Sequence, residues 1–462
     1  MPATRPNLLI PAPSARQRGT VLIVTLLVMA LIALGLGSYL SLNLSTSRLS
    51  RQGYQQNAAF HLAEAGAEEA LWSFNQANAH NPAAWADWTV QPPAAWRKFT
   101  GFDYGGNTTG SVKVYVSNLT PTGNDRPQVV ALSTVESPGT PTNTRMLQVT
   151  LGRRSYFTGG IVARDLMRFA GINTAVDSWN SDPDNNPATP PVPYSLAVRN
   201  DQAVIATMAM QNSGMLVNQA SVLGFVATGG AAPEVGVHGS IGGFTTPANV
   251  QIDPARVSTS FSADLPVVTA PTDGTVIASV GASLGTTGQT TSWRCPALTL
   301  RGSQTLTILG NVTLVLTAAT GKALDVTGNA SIIVPAGSSL TLYAEGNVLI
   351  AGNGLGNANP QPVSCRLFGT GAAGAGQSLQ VAGNGALKAV VYAPNADVSI
   401  NGNGDVMGAV VGQTITFTGE AKFHYDESLA HYDDNTPFQV VRWRELNSAE
   451  DRRGWLDRFT NW

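Results

Sequence analysis

Cysteine occurs only twice in these 462 residues, at Cys295 and Cys365. Two cysteines exclude the disulfide framework of a small secreted domain, and without CxxC or Cys/His spacing they exclude a structural zinc site. Two outcomes stay open for them: a disulfide formed outside the cytoplasm, or a pair of buried thiols. Charge is scarce as well, at 12% of residues with a formal net charge of -2. That excludes a highly charged disordered chain. With no basic stripe to neutralise a run of phosphates, it also excludes nucleic acid as a partner. Phosphate-loop and dinucleotide fingerprints are missing, since Ala351-Gly352-Asn353-Gly354-Leu355-Gly356 has no βαβ unit around it. Glycine (48 residues) and proline (27) are plentiful, which reads as a β-rich chain with many tight turns. The length fits two to three domains.

One long uncharged run stands out, from Gly19 to Ser47. Its densest part, Val21 to Leu44, exceeds the roughly 20 apolar residues that span a bilayer, and it is longer than the core of an ordinary secretory signal. Val21, Leu22, Ile23, Val24, Leu26 and Leu27 open this anchor. Arg5, Arg16 and Arg18 precede it while Arg48 and Arg51 follow, a slight positive-inside bias. Beyond it, Leu49, Ala59, Leu62, Ala63, Ala70, Leu71 and Phe74 keep a helical stripe, predicting one long helix over 20–78. Gly35, Gly37 and Gly53 are where such a helix is expected to bend.

Two stretches flanking the run carry a resemblance. Arg16-Gln17-Arg18-Gly19 before the apolar segment resembles a prepilin leader, and Asn57-Ala58-Ala59-Phe60-His61-Leu62-Ala63-Glu64-Ala65-Gly66-Ala67-Glu68-Glu69-Ala70 resembles the N-terminal region of PilX-type minor pilins. The resemblance extends from the start of the sequence to about Asn75. It implies that a prepilin peptidase cuts after Gly19 on the cytoplasmic side of the inner membrane, leaving an N-methylated Thr20 and a retained anchor. Major pilins carry a glutamate five residues into the mature chain; here that position is Val24. The resemblance therefore implies a minor subunit.

After the helix, Trp72, Trp85, Trp88 and Trp96 are expected to pack between helix and sheet, with sugar stacking as the alternative. Period-two alternation over 111–116, 129–135 and 146–151 predicts antiparallel strands. Helix and sheet together form a pilin-like head with its β part at 79–154. From 155 to 436, short Val/Ile/Leu/Thr runs alternate with Gly-Asn turns. Gly310, Gly328 and Gly346 are evenly spaced, and Gly383, Gly402 and Gly419 follow one another at nearly the same interval. The regular spacing predicts a solenoid, a right-handed parallel β-helix, with a β-sandwich as the alternative. Coils are expected at 160–163, 171–178, 323–326, 331–334, 390–398 and 408–411, and the stretch 194–291 is irregular. The tail, 437–462, is expected to cap the solenoid, with a helix starting at Ser448.

Candidate chemistry is thin. Lys322, Asp325, Glu345, Arg366, Lys388, Asp397 and Asp405 are scattered singly, unlike the paired carboxylates of a glycosidase or the base-plus-acid groups of a lyase. Asp182-Pro183-Asp184-Asn185-Asn186 starts like a calcium loop but has Pro193 at the twelfth place, which reads as a solvated turn. His424, Asp426, His431 and Asp433 form two His-Tyr-Asp steps that are weak metal candidates, with closure of the last coil as the plainer reading. No cofactor and no enzymatic activity are expected. The expectation is a mainly β protein with one long N-terminal helix, acting as a minor pilin or pseudopilin-like subunit. Its partners are the inner membrane, other pilin subunits, the prepilin peptidase and a surface glycan or protein. The alternatives are a tethered surface domain outside any filament and an anchored polysaccharide-active enzyme.

Overall fold

The computed structural model describes residues 18–78, 81–119, 121, 126–153, 155–171, 174–186, 188–383, 387–402, 404–432, 436–460 and 462. The leader up to residue 17 and Asp433 lie outside the described residues. The chain divides into two compact units: residues 1–152 with 438–462, and residues 153–437.

Unit 1 is built on α1, Arg18–Asn78, an uninterrupted 61-residue α-helix about 90 Å long. It runs through Gly35, Gly37 and Gly53 without a break in helical structure. Its second half packs on an antiparallel meander of β1 (Thr89–Gln91), β2 (Ala94–Asp103), β3 (Thr109–Ser117), β4 (Gln128–Glu136) and β5 (Asn143–Arg153). The three predicted strands are β3 to β5. Ala59, Leu62, Ala63, Ala70 and Phe74 meet Val112, Val114, Val129, Ala131, Leu147 and Val149, all buried. The seam on the helix is small by necessity: a Cβ on Gly66 would lie 2.8 Å from Val114 Cγ2. Polar groups lock the same face, with Ser133 Oγ donating to the Ala59 carbonyl at 2.5 Å. Gln55, which is 1% exposed, is held between Thr140 and Asn143. Leu49, on the same apolar stripe, is 68% exposed.

The tail corrects an expectation. Rather than capping the coils, the strand Phe438–Glu445 is the sixth strand of the head, beside β5. Asn75 receives it at its start, accepting from the Phe438 N–H and donating to its carbonyl. α2, Ala449–Leu456, follows with Ser448 as N-cap, as expected from its sequence. α2 and the turn after it cover the other face of the sheet, where Tyr115, Val130, Met146, Leu446 and Phe459 form a second small core. Tail and head go together because both faces of this sheet are apolar and α1 covers only one.

Unit 2 is a single network of parallel strands. Parallel pairing throughout its strands excludes the β-sandwich, which is built from antiparallel sheets. The chain winds through three ladders, and side chains at one register stack into rows. One inner row reads Trp293, Leu314, Leu342, Leu367, Val391, Val410, Ile161, Ile205, Val226 and Val257. The steps from Leu314 to Leu342, Leu367, Val391 and Val410 shorten along the chain, so the coil length varies. The even spacing of Gly310, Gly328 and Gly346 is therefore not the coil. These glycines turn three different corners, after the 305–309, 322–326 and 339–344 segments. Gly383, Gly402 and Gly419 are true register partners.

The row also shows that stacking order departs from chain order. β6 (Ile161–Phe169) and β7 (Ala175–Trp179), at the start of unit 2, add to the strands Val406–Gly419 and Phe423–Asp426 at its end. The return is made by residues 259–274, an extended strap. Phe261 N donates to the Thr228 carbonyl, Arg164 to Leu265, Tyr392 to Pro266 and Arg294 to Pro271, before Thr275 pairs with Trp293. Sixteen extended residues reach about 55 Å, enough for the nine strand spacings of ~4.8 Å that separate the ends of the row. Under the strap lies an outward apolar row of Val315, Tyr343, Phe368, Tyr392, Val411 and Val162, all buried. The irregular 194–291 stretch is thus part coils and part strap. Cys295 and Cys365 are both free and buried. Two strands separate theirs, about 14 Å, which puts a disulfide out of reach.

Candidate membrane and assembly interface

The two halves of α1 differ in what surrounds them. Every residue from Val21 to Arg51 is exposed, including Val21 at 63%, Leu22 at 65% and Val24 at 58%. The most apolar window of the helix has a mean hydropathy of 2.6 and none of it is buried, so the helix is long and apolar enough to cross a membrane. Residues 21–44 extend about 36 Å as a helix, against a hydrocarbon core of about 30 Å. Two hydroxyls of this half are satisfied within the helix: Thr25 donates to the carbonyls of Val21 and Leu22, and Thr46 to that of Leu42. Burying those two in lipid leaves neither donor unpaired. Ile23, Leu26 and Leu27 lie on the same exposed cylinder. Gly19 and Thr20 fall within the first turns of the helix.

Of the tryptophans, Trp85 meets Phe74 edge-on at 5.1 Å and Trp88 at 5.2 Å, and Trp96 lies 6.2 Å from Trp462. These are packing roles, whereas Trp72 is 52% exposed. Arg97 bridges Glu69 at 3.0 Å and Asp87 at 3.2 Å, tying helix to strand.

The three described metal candidates do not converge. His424 and Asp426 share one strand, but Asp426 Oδ1 accepts from the backbone N–H groups of Ser181 and Ser428. Burial pushes the Asp426 carboxyl above its usual range. His431 is exposed at the end of a short 3₁₀ turn. Among the described residues, no three His, Cys, Asp or Glu side chains gather as a metal set. What His424 meets instead is hidden in the sequence. Its Nδ1 faces Asp177 Oδ1 at 2.5 Å, its ring stacks on Tyr194 at 3.8 Å, and Tyr194 donates to Asp177 Oδ2 at 2.9 Å. Nothing local announces Asp177, which is 247 residues away in the chain. The Asp182–Asn186 stretch is an exposed turn whose carboxylates accept from Asn186 N and Thr189 Oγ1. The Thr189 hydroxyl holds the Asp184 carboxyl below its usual range. Cys365, in apolar surroundings, has its thiol pushed up to about 12, which marks it as inert.

A family model described as a domain of unknown function (DUF7305) matches residues 296–432, within the coils. No curated protein matches the chain. Among solved structures, the ice-binding protein 1 DUF3494 domain of Shewanella frigidimarina is similar at 10% identity. That alignment covers 58% of this chain and 94% of that one, with a TM-score of 0.28. The competence-associated pilin ComZ of Thermus thermophilus is similar at 11% identity, over 85% of this chain and 97% of that one, with a TM-score of 0.24. At those scores neither likeness assigns a fold or a role to this chain.

Proposed function

We propose that this chain is a minor pilin or pseudopilin-like subunit of a type IV pilus or related secretion filament. Its anchor is stored in the inner membrane, and its coil domain, read as a right-handed parallel β-helix, is displayed for assembly or adhesion. The observation that carries this is the division of α1: an apolar, uncharged, wholly exposed first half and a second half sealed onto an antiparallel sheet. A free-standing apolar rod is unstable in water and requires lipid or like helices around it. Processing after Gly19, methylation of Thr20 and contact with other pilin subunits belong to this proposal. So do a non-catalytic role and a glycan or protein partner for the coils. Val24 in place of an acid favours a minor role, because a carboxylate there would need a partner at bilayer depth.

The test is the N-terminal residue and mass of protein purified from membranes with and without an active prepilin peptidase. A chain beginning at Thr20 only in the presence of the peptidase is the expected result. A terminus indifferent to the peptidase overturns the filament role and leaves a tethered surface protein.

A further inference from the structure

The two ends of unit 2 meet at a joint that no peptide bond crosses, where β6 and β7 pair with the Val406–Gly419 and Phe423–Asp426 strands. Its inner side is apolar, with Phe169 stacked on Phe417 at 5.1 Å. Its outer side is polar and equally buried. His424 and Asp177 are direct register partners there, with side chains 3% and 4% exposed. Nδ1 of the imidazole faces Asp177; Nε2 has no hydrogen-bond partner among the described residues and lies 3.8 Å from Asp405 Oδ2, on a carboxylate 41% exposed. A carboxylate therefore stands off each ring nitrogen. A neutral imidazole carries one N–H and can serve one of them; the doubly protonated ring serves both.

We propose that this joint is a proton-sensitive latch, in which proton uptake turns His424 from a one-sided into a two-sided link between Asp177 on the first coil and Asp405 on the last. The other groups around the ring do not replace that proton. Tyr194 and Arg199, on the loop after β7, face Asp177, at 2.9 and 4.0 Å. Glu427 accepts from Ser178 and Asn200. Met407, the register partner on the other side, is neutral. Asp426, two residues along, acts in the same sense. A carboxyl raised by burial contributes stability that is present in acid and lost as pH rises through its titration. The latch is engaged when the ring holds both protons and slackens when it holds one.

Hydrogen exchange, read by peptide on the full chain in detergent and corrected for intrinsic rates, tests this at about pH 5.5 and about pH 7.5. Protection of β6 and β7 should fall about fivefold across that step, the worth of one partly exposed charge pair, while the Thr305–Leu316 strand stays level. Asp405→Asn changes a half-exposed side chain and should leave the fold intact while flattening the β6 and β7 profile. His424→Gln should give low protection at both pH values. A wild-type profile with no slope, or an Asp405→Asn profile that keeps the wild-type slope, overturns the latch.

Discussion

Unit 1 and unit 2 bury their chains by opposite means. In unit 1 a helix with alanines and one glycine at the contact lies close on a sheet, so proximity of backbones does the packing. In unit 2, among the described residues, no α-helix takes part; branched and aromatic side chains stack row upon row, each coil closed only by its neighbours. The lesson is that small residues are the sensitive points of one unit and large residues those of the other.

Four substitutions sharpen or break that contrast, each read from urea unfolding of the two units by separate probes. Phe417→Ala, at a fully buried ring on the joint, should cost unit 2 about 3–5 kcal/mol and leave unit 1 unchanged. An equal loss in both units would show that they unfold as one body. Gly66→Val should cost unit 1 about 1–3 kcal/mol by forcing helix and sheet apart, although it removes a poor helix former. A gain in stability would mean that the close approach is dispensable. Tyr392→Phe deletes the hydroxyl held by the Pro266 carbonyl and should cost about 1 kcal/mol, with faster proteolysis confined to the strap. Asp451→Asn removes an exposed pair with Arg444 and should leave the unfolding midpoint nearly unmoved, the smallest effect of the set.

Legibility in the sequence follows the distance between partners. α1 and β3 to β5 announce themselves because their periodicity is local, and the N-cap at Ser448 likewise needs only its next three residues. β2 is hard to read because it is interrupted by Lys98, Gly101 and a bulge opposite β3. The tail reads as a cap on the coils only because its true pairing, with the head, spans hundreds of residues, as in the ion pair of Arg145 and Glu445. The Gly-Asn turns reveal a coiled architecture but misstate its length, because a turn at any corner looks the same in sequence. The apolar first half of α1 is plain, because an uncharged run of that length is visible without knowing any partner. At the joint, His424 and Asp426 can be seen, but Asp177 and Tyr194 cannot: they are ordinary residues until stacking order brings them opposite.

The interruption of the head by unit 2 bears on how the protein is made. A chain growing from its N-terminus lays down α1 and β1 to β5, then must deliver every coil before Phe438–Glu445 arrives to occupy the edge of β5 and satisfy Asn75. Until then the head keeps an open strand edge and one bare apolar face, the features that bring holding factors and proteases to unfinished products. A product cut short anywhere in the coils lacks Phe438–Glu445 and cannot close the sheet on which the second half of α1 rests.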